Sequence, residues 1–252
     1  MGCLDRRIKY YGVNMKKISL ITVYNNASEL ADMTESAKNQ KNVDVEFISL
    51  DNTNGDFSSA AKALNYGAMQ ANGDVLVFLH QDIVFCSDYV LEYVYNFLSV
   101  HEECLCGAAG VENDFKNRRL TLSSMYQCDM DNRYDTIDSP REVFSLDECF
   151  MACKKSLFSK IKYDEKLCDG WHLYGVDLCL QAKVKGIKSF VLPLDILHKS
   201  IGNVDDSFAV ALNKLAVKYR KNFSFICTTC SFIYTNPIKR ALLNLIRKLK
   251  HM

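Results

Sequence analysis

The chain of 252 residues balances 31 Lys and Arg against 30 Asp and Glu, for a formal charge of +1. That balance argues against a generic nucleic-acid binder, and 48% hydrophobic with 24% charged residues is ordinary for a globular protein with one large domain. No apolar run is long enough to span a bilayer and no secretory signal is present, so the expected location is the cytoplasm.

Residues 1–14 read as a polar extension. The first strand covers 18–23, a β-branched run ending in Tyr24-Asn25-Asn26. Asn26 or Ser28 can cap a helix over 29–39. A second strand over 43–50 closes at Asp51-Asn52-Thr53-Asn54-Gly55, and Ser58 opens a helix through Ala71 that Gly73 stops. The uninterrupted apolar run Val75–Leu79 suits a strand buried on both faces. This βαβαβ order with short connections marks a mostly parallel, Rossmann-like α/β sheet. Neither a G-x-G-x-x-G after the first strand nor a G-x-x-x-x-G-K-[ST] is present, which disfavours dinucleotide dehydrogenases and P-loop NTPases.

A helix is expected over 88–100 and a strand over 105–111. Residues 112–142 are polar and read as a long loop, of the kind that serves as a lid or acceptor-binding insertion. The chain returns to the sheet over 143–153. A helix follows over 173–185, a strand over 187–192, an extended piece over 196–198 and a helix over 205–219. One domain thus spans 15–222, followed by a tail over 223–252. In that tail Ile238, Leu242, Leu245, Ile246 and Leu249 alternate with five basic residues. Such a helix either lies on a membrane surface or docks on the domain or a partner. The eleven cysteines are dispersed. Those in apolar stretches, such as Cys149 and Cys153, read as small core residues kept reduced, and Cys227-Thr-Thr-Cys230 reads as structural, with no second pair at zinc spacing.

The third strand ends in His80-Gln81-Asp82. Ligands of open α/β sheets bind beyond the carboxyl ends of the strands, and alternate residues of an extended chain point to one side. An imidazole and a carboxylate there can hold a divalent cation, and the cation a phosphate. The plain alternative is that Asp82 is a turn residue or helix cap.

In order, Thr22-Val23-Tyr24-Asn25, Leu50-Asp51-Asn52, Ala63-Leu64-Asn65-Tyr66-Gly67, Ala71-Asn72-Gly73-Asp74 and His80-Gln81-Asp82 resemble the motifs of GT-A glycosyltransferases of the family-2 type. Tyr163-Asp164-Glu165, the stretch from Gly170 to Leu178, Leu192-Pro193 and His198 extend the resemblance over roughly 17–202. His80 replaces the usual first Asp of D-x-D, and Tyr174 and Gly175 replace the usual acidic pair of E-D-x-D-L.

The resemblance implies a GT-A fold and sugar transfer from a nucleotide-sugar donor, UDP- or dTDP-linked, to a saccharide or lipid-linked saccharide. Inversion at the anomeric carbon and a role in surface polysaccharide or glycoconjugate synthesis go with it. It implies Mn²⁺ or Mg²⁺ held by Asp82 and His198, with His80 as a third ligand. Thr22, Tyr24, Asn25, Asp51, Asn65, His80, Gln81 and Trp171 would contact the donor, Asp51 through the nucleobase. Asp177 would be the general base or else cap its helix, and His172 is the substitute base. A non-catalytic nucleotide- or sugar-binding relative and a sugar nucleotidyltransferase are the alternative readings. Acting on a lipid-linked acceptor would place the protein at the inner face of the cell membrane.

Overall fold

The computed structural model describes residues 16–112, 120–131, 137–202 and 204–242. In chain order the elements are β1 (Lys17–Tyr24), α1 (Ala27–Lys38), β2 (Asp44–Asp51), α2 (Ala60–Gln70), β3 (Val75–Leu79), β4 (Ile83–Phe85), α3 (Val90–Val100), β5 (Cys104–Gly107), β6 (Ala109–Glu112), β7 (Leu120–Ser123), β8 (Tyr126–Gln127), β9 (Arg141–Val143), β10 (Ser145–Leu146), β11 (Phe150–Lys154), α4 (Lys155–Phe158), α5 (Tyr174–Val184), β12 (Lys188–Val191), β13 (Ile196–His198), α6 (Asp206–Lys218), β14 (Phe225–Cys227) and β15 (Phe232–Tyr234).

The central sheet has the order β2-β1-β3-β11-β5-β12-β9. β1 runs parallel to β2 and β3, and β12 runs parallel to β5, whereas β11 and β9 are reversed. The mostly parallel α/β sheet expected from the sequence is present. β3 is buried on both faces. Leu76 and Phe78 enter one core with α2 and α5, and Val75, Val77 and Leu79 enter the other with Met33 of α1 and Leu91, Val94 and Leu98 of α3. That two-sided burial is why its sequence is unbroken by polar residues.

Asn26 caps α1, its Oδ1 accepting the N–H groups of Ser28 and Glu29. Ser59, rather than Ser58, caps α2 by accepting the N–H of Lys62. α2 ends at Gln70, so Gly73 does not stop the helix. It lets the chain pass against β1: its N–H donates to Ser19 Oγ at 2.8 Å, and a Cβ there would lie 2.6 Å from the Ser19 nitrogen.

The strand expected over 105–111 divides at Ala108, where the chain leaves the central sheet and β6 enters a second sheet of order β10-β6-β7. The supposed loop over 112–142 contains β7 and β8, and β8 joins a third sheet of order β4-β13-β8. Strands of two to four residues are too short to show an alternation of apolar and polar positions. Residues 113–119 and 132–136 of that stretch, the extension over 1–14, and Leu245, Ile246 and Leu249 of the tail lie outside the described residues.

The domain does not end at 222. β14 and β15 form a hairpin whose Ile226, Cys227 and Ile233 are buried with Phe208, Leu212 and Leu215 of α6 and with Val111 and Phe144. Beyond it, Ile238 and Leu242 are 78% and 57% exposed. Removing 237–252 should therefore leave the melting transition nearly unchanged. Removing 223–252 strips three side chains from the core, each worth about 1.5–3 kcal/mol, and should lower the transition sharply. Thermal melts followed by circular dichroism distinguish the two. Among the described residues, no helix is long and apolar enough to cross a membrane.

Candidate active site

A cavity of about 490 Å³ opens at the carboxyl ends of β1 and β3. Tyr24 and Asn25 line it after β1, Asn52 after β2, and His80, Gln81 and Asp82 after β3. Ala60 and Leu64 of α2 form one wall, and Glu148, Trp171, Tyr174 and Ser200 complete it.

β4 turns back from Asp82 and pairs antiparallel with β13, in a register that sets His198 opposite Ile83. This pairing, and not nearness in sequence, brings His198 to Asp82. His198 Nε2 lies 3.5 Å from Asp82 Oδ2, and that oxygen also accepts the N–H of Ser200 at 3.1 Å. The His80 and His198 rings stand 5.5 Å apart, and one ligand atom from each of His80, Asp82 and His198 falls within 4.8 Å of the others. His80 Nε2 is 3.3 Å from the Tyr174 hydroxyl, and His198 Nδ1 is 3.4 Å from Gln127 Nε2 on β8. His198 Nε2 also lies 3.3 Å from the Ser200 hydroxyl, so both nitrogens of that ring have side-chain neighbours.

The electrostatics suit ligation. Burial, reinforced by His198, holds the His80 imidazole below its ordinary pKa and hence neutral. Burial alone would raise the Asp82 carboxyl, but His198 and a hydrogen bond from the Ser200 side chain outweigh it and keep Asp82 below its ordinary value. Two imidazoles and one carboxylate at this spacing could hold a divalent cation, with a single negative charge where D-x-D would offer two.

The other residues singled out from the sequence divide into two groups. Tyr24, Asn25, Gln81 and Trp171 line the cavity, Trp171 with 44% of its surface exposed. Gln81 also fixes the loop after β1, accepting the N–H groups of Asn25 and Asn26 and donating to Asn25 Oδ1, all at 2.9 Å. Asp51 sits beside the cavity at the end of β2, opposite Tyr24, with its Oδ1 accepting the Thr53 N–H. That bond holds its carboxyl below the usual range.

Thr22, Asn65, His172 and Asp177 do not line the cavity. Thr22 is buried and donates to the Leu79 carbonyl, tying β1 to β3. The Asn65 amide donates to Tyr163 O and Glu165 Oε1 and clamps the segment after α4. His172 packs against Phe208 and lies 3.3 Å from Asp205 at the start of α6.

Asp177 is fully buried among Lys218 Nζ at 2.7 Å, the Tyr219 hydroxyl at 2.8 Å and Gln181 Nε2 at 2.8 Å. These partners join α5 to α6. The expected general base is therefore an internal ion pair, and it is not a helix cap either, since its carboxylate oxygens face side chains. Burial would lower the Lys218 ammonium, but the bonds to Asp177 and Asp164 raise it overall. Lys218→Met should cost about 3 kcal/mol, because it leaves a carboxylate buried without its countercharge. Chemical denaturation gives the value.

Glu148 was not singled out from the sequence. It precedes β11, lines the cavity and accepts the Gly175 N–H at 3.1 Å at the start of α5. Burial pushes its carboxyl up to about 8, and Asp147 beside it adds to the shift, against the N–H groups of Gly175, Val176 and Leu173. A hint was present: Asp147-Glu148 interrupts an otherwise apolar return to the sheet, and paired acids inside such a run need a reason to be there.

A model of the glycosyltransferase-like family matches residues 19–223. The chain belongs to that family. This glycosyltransferase-like chain is 26% identical over 186 residues to a Fuscovulum blasticum protein described as "ATP synthase subunits region ORF 6", covering 71% of this chain and 73% of that one. Among solved structures it is similar to S. aureus TarS in complex with UDP, with a TM-score of 0.53, 13% identity and 81% of this chain covered. It is also similar to GalNAc-T7 with UDP, GalNAc and Mn²⁺, with a TM-score of 0.58, 12% identity and 83% covered. It spans 66% and 48% of those two chains. The GT-A fold expected from the sequence stands.

Proposed function

We propose that this protein transfers a glycosyl group from a nucleoside diphosphate sugar, most simply UDP-linked, to an acceptor hydroxyl on a saccharide or lipid-linked saccharide. The observation that carries the reading is one cavity at the sheet's carboxyl edge lined by His80, Asp82 and Glu148, a carboxyl of raised pKa, with His198 against Asp82 completing a metal-competent triad.

Asp82, His198 and His80 would hold Mn²⁺ or Mg²⁺, whose positive charge would stabilise the departing diphosphate. Tyr24, Asn25 and Asn52 flank the position of the nucleobase and ribose, with Asp51 offering an acceptor for a pyrimidine N–H. Trp171 offers a flat apolar face for a sugar ring. Glu148, in place of Asp177 or His172, takes the acceptor proton. Its raised pKa matches that task near neutral to mildly alkaline pH. With one carboxylate acting as base, the displacement is single and inverts the anomeric carbon. The exposed start of the tail, Ile238 with Lys239, is consistent with contact at an anionic membrane surface that presents a lipid-linked acceptor.

The test is a thermal-shift screen of nucleoside diphosphates and nucleotide sugars with and without Mn²⁺. A donor at 100 times its Kd should add about 2.7 kcal/mol of apparent stability, and the shift should require the metal. Binding without release of nucleoside diphosphate would favour the non-catalytic reading, and no shift with any nucleotide would overturn both.

A further inference from the structure

The family match ends at 223, yet the β14–β15 hairpin beyond it reaches the segment that carries Glu148. Thr229, in the turn of the hairpin, donates from Oγ1 to Asp147 Oδ2 at 2.6 Å. The turn is itself fixed: Thr228 N–H donates to Ser231 O, Ser231 N–H donates to Thr228 Oγ1, and Ser145 Oγ donates to Cys227 O. The hairpin's inner side chains are buried against α6, so Thr229 projects from a rigid base.

Asp147 is held on both sides, because its Oδ1 accepts the Cys149 N–H at 3.1 Å. The three residues 147–149 then serve both halves of the cavity. Glu148 reaches in from the middle and accepts the Gly175 N–H, and the Cys149 carbonyl accepts the His80 N–H at 2.9 Å. A shift of this segment would move the proposed base and the first residue of the cation triad together.

We propose that the hairpin is part of the active-site support and that Thr229, acting through Asp147, is a positioning residue for Glu148 and His80. The catalytic half of this inference rests on the reading of Glu148 as proton acceptor; the positioning half does not. A hydrogen bond from a hydroxyl to a carboxylate is among the stronger neutral–ionic contacts, and its loss removes the tie between the hairpin and Asp147 Oδ2.

The experiment compares full-length wild type, Thr229→Val and Thr229→Ser by amide hydrogen exchange and by UDP release from the UDP-sugar the wild type turns over. Thr229→Val should speed exchange of the His80 and Gly175 amides roughly tenfold while leaving β1 unchanged, and should lower kcat by a similar factor with KM for the donor held. Thr229→Ser, which keeps the hydroxyl, should restore both. Unchanged exchange at His80 and Gly175, or an increase spread equally over the sheet, would overturn the inference. Wild-type turnover by Glu148→Gln, with the local exchange effect intact, would instead remove the reading of Glu148 as base and leave the positioning role standing.

Discussion

Asp82→Ala should abolish metal-dependent donor binding and sugar transfer, and EDTA should reproduce the defect in the wild type. Asp82 supplies the only carboxylate of the triad and also accepts the Ser200 N–H, so its loss removes both the charge that attracts the cation and a support for the loop that carries Ser200. Removing a direct ligand should weaken Mn²⁺ by more than the roughly 10–100-fold typical of losing an outer partner. His198→Ala should act in the same direction. His80→Ala should match it if the imidazole binds the cation, and should do less if it only shapes the cavity wall. Mn²⁺ affinity measured by electron paramagnetic resonance separates these outcomes without an acceptor in hand.

Glu148→Gln should lower turnover by roughly 10²-fold or more and leave nucleotide affinity near wild type, since the amide keeps the size but cannot take a proton. With the wild-type carboxyl near pH 8 in the folded state, the rate should rise with pH through that region and be small at pH 6. Stability runs the other way. The folded pKa lies above the unfolded value of roughly 4.3, so proton binding favours the folded state at low pH. That contribution fades as pH rises from the unfolded value through about 8. Glu148→Gln should therefore melt higher than wild type above pH 8 and show no such advantage near pH 4. Asp177→Asn should show the opposite pattern, with lost stability and near-normal turnover per folded molecule.

The contrast between Asp177 and Glu148 shows where sequence reading reaches and where it stops. β3 was legible because a strand buried on both faces must be apolar throughout, and Asp82 was legible because it sits at the end of that strand. His198 was placed by its motif, and the β4–β13 pairing that carries it to Asp82 spans more than a hundred residues and leaves no local trace. Asp177 occupies the family's acidic position, but Lys218 and Tyr219 are forty residues away in α6, and nothing near Asp177 in the chain announces that they seal it. Glu148 was hidden for the reverse reason. Two acids just before a strand look like loop residues until α5 is seen to place its first turn over Glu148. β7 and β8 were too short for periodicity, although β8 carries Gln127 to the His198 ring.

The proposed function puts a cation on Asp82 and His198 with the donor diphosphate beside it. Its most direct test is a crystal grown with UDP and Mn²⁺, with diffraction recorded at the manganese absorption edge. A single anomalous peak is expected within bonding distance of Asp82 and His198, with the diphosphate oxygens on its open side and Glu148 facing the space left for the sugar. UDP bound in the cavity with no manganese against Asp82, or manganese bound elsewhere, would contradict it.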